Sequence, residues 1–227
     1  MKKPKLPQRV KSIENIGFFS CLFLFSLFMD FTLDYIASME FLLNAFHINN
    51  TNAFDEEIYR EGFPFAVLVV GLMVPAFEEF LHRYYLRSFT WNNTLLPICC
   101  AFIFIQLLNI RSITYLLIIA IITLSISIGI YRLILKSEKV KKKLLQFYAI
   151  NYWLFFYISA IAFGVSHIGN YNIKHFIPIL PVILLLPQIF AGLLLGYVRI
   201  VMGIKWSIAF HSLHNLIVVT FLFINHR

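Results

Sequence analysis

Two adjacent glutamates, Glu78 and Glu79, follow the uncharged run Phe63–Val74 across Pro75, and Arg83 stands four residues beyond Glu79. On a helix, Glu79 and Arg83 share a face one turn apart and can pair. Glu78 points about 100° away, toward a different neighbour. One carboxylate is thus neutralised locally while the other stays available, which suits a general base. His167 closes the stretch Phe163-x-x-x-His167. His211 and Asn215, again four apart, share a face of another apolar stretch. Both can donate hydrogen bonds, and together they could hold a water, a metal or a developing oxyanion. His214 is about 60° off that face and reads as support or packing. A lone membrane histidine is more often a hydrogen-bonded packing residue than a catalyst, so His167 gains its meaning from the others.

These side chains matter because of what surrounds them. The chain has 227 residues, of which 60% are hydrophobic and only 13% charged; its mean hydropathy is +0.79. Soluble domains run at about 45–50% apolar and roughly 25% charged, so the composition is that of an integral membrane protein. An ionised side chain at mid-bilayer costs about 2.5–3.5 kcal/mol on insertion scales, and residues that bear this cost face a protein interior or a wet cavity.

A spanning helix needs about 20 apolar residues. Seven segments qualify: Gly17–Ile36, Phe63–Leu81, Leu95–Ile110, Ile113–Leu135, Phe147–Ile168, Phe176–Val198 and Trp206–Ile224. The expected fold is all-α, a polytopic transmembrane helix bundle of about seven spans, six to eight, with a cytoplasmic N-terminus. With that orientation fifteen Lys and Arg residues fall inside and four outside, as the positive-inside rule requires. The basic excess suits anionic lipid headgroups, not nucleic acid. Cys21, Cys99 and Cys100 lie in apolar runs without metal-site or disulfide spacing and read as reduced packing residues. The N-terminus is basic, then apolar, but no small-residue cleavage site follows; it reads as an uncleaved first span.

Glu-Glu-x-x-x-Arg at 78–83, Phe-x-x-x-His at 163–167 and His-x-x-x-Asn at 211–215, in that order on separate apolar helices, resemble the CPBP family (CAAX protease and bacteriocin-processing, also called Abi). Its best understood members are the type II CAAX prenyl endopeptidases. The resemblance covers roughly residues 63–225. Outside it lie a basic N-terminus, first span and acidic loop at 1–62; it implies an intramembrane protease core at 63–227. Glu78 and Phe163 are 85 positions apart, wider than the family pattern, and an inserted helical hairpin at about 95–135 accounts for the excess.

The resemblance implies an intramembrane endopeptidase. Glu78 would be the general base, His167 would help it activate water, and His211 and Asn215 would stabilise the oxyanion. Glu79 and Arg83 would support Glu78. Glu78, His167 and His211 are also zinc-capable donors, so a zinc-dependent version stays open. The zinc-protease helix His-Glu-x-x-His is absent, and a metal-free glutamate mechanism requires no cofactor. The partners implied are the lipid bilayer and a membrane-embedded or membrane-associated peptide; a chain rich in Phe, Ile, Asn and Lys suggests a bacterial inner membrane, where a leader peptide or another membrane protein is cut.

One geometric demand follows. With straight spans, Glu78 sits near the cytoplasmic end of its helix and His167 near the outer end of its own, about 15 Å apart in depth. They meet only if a helix is broken, and Pro75 is the expected place, starting a new helix Pro75–Trp91. Two rivals remain. Gly164-Val-Ser166 contains the Gly-x-Ser fragment of rhomboid serine proteases, but the order of motifs is reversed and the glutamates have no role there. A non-catalytic membrane-binding or bacteriocin-immunity protein would use the same cluster to bind.

Overall fold

The computed structural model describes residues 17–27, 58–88, 137–168 and 179–225, with isolated positions between 118 and 132. Among the described residues every regular element is a helix. They are α1 (Gly17–Leu27), α2 (Phe63–Arg87), α3 (Glu138–Ile150), α4 (Tyr152–Ser166), α5 (Ile179–Val201) and α6 (Ile204–Asn225). Among the described residues three stretches are long and apolar enough to cross a membrane: α2, Leu184–Val201 of α5 and Ile204–Ile224 of α6. A fourth appears if the bent pair α3 and α4 is one span. This is fewer than the seven expected. Leu95–Ile110 lies outside the described residues, as do Cys99 and Cys100, and only isolated helical positions of Ile113–Leu135 are described. Cys21, expected to pack, is free and exposed on α1.

α2 departs most from simple helix geometry. Its residues Ala66–Met73 wind as a π-helix, and the Val74 N–H bonds to Val69 O, five residues back. Val74–Arg83 then continues in α register through Pro75. The expected break at Pro75 is therefore absent: proline has no N–H and fits at the first turn of the α section without ending the chain's helical course. Its effect is local. In π register Pro75 would have been the donor to Val70 O, and it cannot be. The Asn215 side chain takes that place, donating from Nδ2 to Val70 O at 3.0 Å.

The break lies in the other helix. Residues 147–168, expected as one span, are split at Asn151, where α3 and α4 meet at 77°. Asn151 has non-helical φ −100° and ψ 24°. Both its backbone N–H and its side-chain Nδ2 bond to Phe147 O, at 3.0 and 2.8 Å; a side-chain amide that serves the last turn's carbonyl ends a helix. α3 carries Lys139, Lys141, Lys142 and Lys143, starts at a Ser137 cap whose hydroxyl accepts from the Val140 N–H, and has no buried residue. α4 is apolar on most of its surface. The change from amphipathic to apolar falls at the bend.

α4 packs on α5 by backbone approach. A Cβ on Gly192 would lie 2.9 Å from both Cα and O of Ala160, and one on Gly164 would collide with Ile189. Ala160 and Gly164, and Gly192 and Gly196, are small residues one turn apart on facing helices, a pattern that replaces side-chain interdigitation with main-chain contact. α5 and α6 form a hairpin through Met202 and Gly203. Gly203 has φ 106°, a conformation that costs a residue with a Cβ. α1 lies on this hairpin, with Phe19 and Phe23 edge-on to Phe210.

Gly192→Val should therefore lower stability by about 1–3 kcal/mol, as overpacking does, because the Ala160 backbone cannot yield as a side-chain tip would. Thermal unfolding in detergent micelles should show a lower midpoint for this variant. Gly17→Ala, where a Cβ meets nothing within 4 Å, should leave the midpoint unchanged.

Candidate functional site

Helix periodicity separates the two glutamates as the sequence requires. Glu79 and Arg83 form an ion pair, and both side chains are 0% exposed. Two further donors reach Glu79 from α6. The Ser207 hydroxyl lies on Oε2, and His211 Nδ1 lies 3.1 Å from Oε1. Ser207 Oγ is also 3.1 Å from Leu195 O, so its single hydrogen serves one of two acceptors. Arg83 is equally enclosed. Its Nε points at Gly192 O at 3.4 Å, and its guanidinium lies 4.1 Å above the Phe163 ring centroid. One carboxylate thus joins α2 to α6, and its arginine joins α2 to α4 and α5.

Glu78 faces elsewhere, and its surroundings are sparser. His167 Nε2 is 3.9 Å from Oε1 and His211 Nε2 is 3.5 Å from Oε2, with Glu78 12% exposed and His167 22%. Three helices bring these groups together: α2 supplies the carboxylate, the end of α4 one imidazole and α6 the other. α4 begins after the bend at Asn151 and α2 runs on to Arg87, so Glu78 lies beside the end of α4. Glu78 stands nine residues, about 13 Å, from Arg87, well inside its helix.

The hydrogen bonds on the far nitrogens orient both rings. His167 Nδ1 is 2.8 Å from Phe163 O; a carbonyl only accepts, so Nδ1 carries the hydrogen and Nε2 is the nitrogen turned toward Glu78. His211 Nδ1–H in the same way donates to Glu79 Oε1, leaving Nε2 toward Glu78 Oε2. Ser166 Oγ turns back to Phe163 O at 2.7 Å and lies 3.3 Å from His167 Nδ1, on the side of the ring away from Glu78. Asn215, one turn along α6 from His211, is committed through one Nδ2 hydrogen to Val70 O, and its other amide hydrogen is the one available to a ligand.

Phe163 is the hub of this arrangement. Its ring contacts Arg83, and lies 4.7 Å from His167, 5.5 Å from His211 and 5.6 Å from His82, centroid to centroid. His82 was missed by sequence reasoning, although its signal was legible: it stands four residues after Glu78, on the same helical face. It is buried, and among the described residues its Nε2 has no hydrogen-bond partner. Its carbonyl accepts from Ser159 Oγ at 2.6 Å, a second tie between α2 and α4.

Arg87, at the end of α2, is not a side chain simply reaching for headgroups. Its guanidinium donates to Ile200 O at the end of α5. Arg199 of α5 reciprocates, donating to Arg83 O at 3.2 Å and Tyr84 O at 2.8 Å. Each helix end lends an arginine to the open carbonyls of the other.

Zinc holds imidazole and carboxylate at about 2.0–2.2 Å, which sets ligand atoms about 3.3–3.6 Å apart around a tetrahedron. The Glu78–His211 separation of 3.5 Å falls within this range, and the Glu78–His167 separation of 3.9 Å does not. Among the described residues no group of three or more His, Cys, Asp or Glu has the spacing to hold a metal ion. The donor set does not fit zinc as it stands.

Glu79→Leu should destabilise the protein by about 3–5 kcal/mol, because it leaves the Arg83 charge buried and unpaired. Ser207→Ala should cost only about 1 kcal/mol, one hydrogen bond among three on Glu79. Thermal unfolding of the two variants in one detergent should show that order. No protein-family model, curated protein or solved structure matches the chain, so the chemistry of the site rests on its own geometry.

Proposed function

We propose that the protein is an intramembrane endopeptidase that hydrolyses a peptide bond with a water activated by Glu78 and His167, resembling the CPBP proteases. The observation that carries this reading is the Glu78 carboxylate flanked by two imidazole Nε2 atoms at 3.9 and 3.5 Å from two other helices. A gap of 3.9 Å is too long for a direct hydrogen bond and suits one bridging water. Such a water gives one hydrogen to Glu78 Oε1 and the other to His167 Nε2, and turns an oxygen lone pair outward. That lone pair attacks the peptide carbonyl carbon as Glu78 takes the proton. The carbonyl electrons move onto oxygen, where the Asn215 amide hydrogen not given to Val70 O can donate to the oxyanion. The tetrahedral carbon then expels the amine as the C–N bond breaks, and the proton returns from Glu78 to the leaving nitrogen. Glu79, Arg83 and Phe163 touch neither water nor substrate in this scheme; they hold Glu78, His167 and His211 in place.

The polypeptide substrate is taken to be membrane-embedded or membrane-associated, a leader peptide or another membrane protein of a bacterial inner membrane. Glu78→Gln removes the base while nearly preserving shape, and should lower hydrolysis by about 10²–10⁴-fold without moving the unfolding midpoint. Comparing membrane peptidomes from cells carrying each form identifies the substrate and reads the loss. Ser166→Ala should retain full activity. A chelator should leave hydrolysis intact; loss restored by zinc would instead mark the zinc-dependent version. If the cellular phenotype survives Glu78→Gln, the protein acts by binding.

A further inference from the structure

Among the described residues α3 has no buried side chain, whereas each of the other helices contributes to the core. Its last turn holds it to the bundle. The Tyr148 hydroxyl donates to Tyr85 O at 3.0 Å, and the Tyr148 ring packs on Tyr85, Tyr152 and Phe155. That foot marks a level in the protein. Leu86 near the end of α2, Tyr152 at the start of α4 and Ile200 near the end of α5 form one buried cluster there.

The direction in which α3 leaves this level follows from the packing of α4. Phe156, Ala160 and Gly164 approach Gly196, Gly192 and Ile189 in turn, so α4 runs antiparallel to α5. Leu184–Val201 of α5 is long and apolar enough to cross a membrane, and α4 follows its line. α3 is bent 77° from α4 and therefore runs nearly across the spanning direction, at the end of the bundle. It is no span of its own: its 13 residues reach about 20 Å, short of the roughly 30 Å of a bilayer core.

The surface of α3 fits one kind of environment. At about 100° per residue, Lys139, Lys142 and Lys143 share a face with Gln146, and Tyr148 points the other way, toward the bundle. Val140, Leu144 and Phe147 form an apolar stripe between those two directions. Glu138, the one acid of α3, pairs with Lys141 at 3.3 Å, so the basic face keeps its excess charge. A face turned to water explains the lysines but not Val140 and Phe147 beside them, which are exposed. The boundary between acyl chains and headgroups accommodates both. Trp153 and Tyr157, exposed just past the bend, are of the types that settle at that boundary.

We propose that α3 is a docking surface for anionic phospholipid: it lies along the membrane plane at the end of the bundle, with Val140, Leu144 and Phe147 toward the acyl chains and Lys139, Lys142 and Lys143 among the lipid phosphates. This surface is independent of the protease reading. The full chain would be placed in nanodiscs of phosphatidylcholine alone and in discs with equal phosphatidylglycerol, and hydrogen exchange of the α3 amides read by mass spectrometry.

In the anionic discs those amides should exchange at least about tenfold more slowly, since each basic residue near an anionic surface contributes roughly a fivefold factor and binding suppresses local opening. The triple variant Lys139→Gln, Lys142→Gln, Lys143→Gln should lose most of that difference, because glutamine keeps the helix propensity of lysine and removes only the charge. The corresponding triple arginine variant should keep it. Exchange in α5 and α6, and the unfolding midpoint in phosphatidylcholine, should match wild type in both variants. Equal α3 exchange of wild type in the two kinds of disc, or a glutamine variant that keeps the wild-type difference, would overturn the proposal. So would equal protection of α3 by soluble polyphosphate in phosphatidylcholine discs without any response to phosphatidylglycerol, which would mark a soluble polyanion as the partner.

Discussion

The buried ion pair of Glu79 and Arg83 is the constraint from which the rest of the arrangement follows. Neither side chain has any exposure, and an unpaired ion in that position would be costly by several kcal/mol. A pair on one helix does not by itself satisfy both groups, because a carboxylate has more acceptor sites than one arginine fills and a guanidinium more donors than one carboxylate takes. The remainder must come from neighbours. α6 delivers Ser207 and His211 to the carboxylate, α5 delivers Gly192 O to the guanidinium, and α4 delivers the Phe163 ring. Satisfying one pair thus fixes the mutual position of four helices, and small residues at 160, 164, 192 and 196 let two of them come close enough to do it.

That network also explains why Glu78 differs from its neighbour in sequence. One residue of helical rotation takes it out of the fully buried cluster and aims it at two imidazoles whose other nitrogens are already engaged. His211 belongs to both groups: Nδ1 is held by the structural glutamate and Nε2 is presented to the other. The coupling is rigid, since turning the ring to serve one side breaks its bond on the other. Phe163 separates the two clusters, with Arg83 on its face and three histidines around it.

The sequence revealed the parts governed by local periodicity. The Glu79–Arg83 pair follows from spacing alone, as does the divergence of Glu78, and the order of the three motifs was enough to anticipate that His167 and His211 would meet it. What it concealed depends on long-range choices. Pro75 announces one missing donor, but the sequence does not say whether the preceding turn winds in α or π register, so neither the freed carbonyl of Val70 nor the role of Asn215 in filling it could be named. The bend was assigned to Pro75 by residue type, whereas an asparagine whose side chain could serve the carbonyl of Phe147 made it. Nothing local shows that the helix ends carrying Arg87 and Arg199 lie side by side.

The position of the bend bears directly on how polar groups come to lie deep in an apolar protein. α4 has 15 residues and reaches about 22 Å, short of the roughly 30 Å of a bilayer core. If α3 lies at the interface, α4 starts there and its C-terminal turn ends inside the apolar layer. Helix ends expose carbonyls, and no lipid can bond them, so irregular backbone at that depth must border protein or water. The last turn of α4 answers in part from within: Ser166 Oγ and His167 Nδ1 both return to Phe163 O, and the His167 N–H to Gly164 O. What this leaves outward is His167 Nε2, facing Glu78 across a gap the width of one water. On that placement, a helix too short for its membrane would bring an imidazole nitrogen, a carboxylate and space for a polar ligand together below the surface.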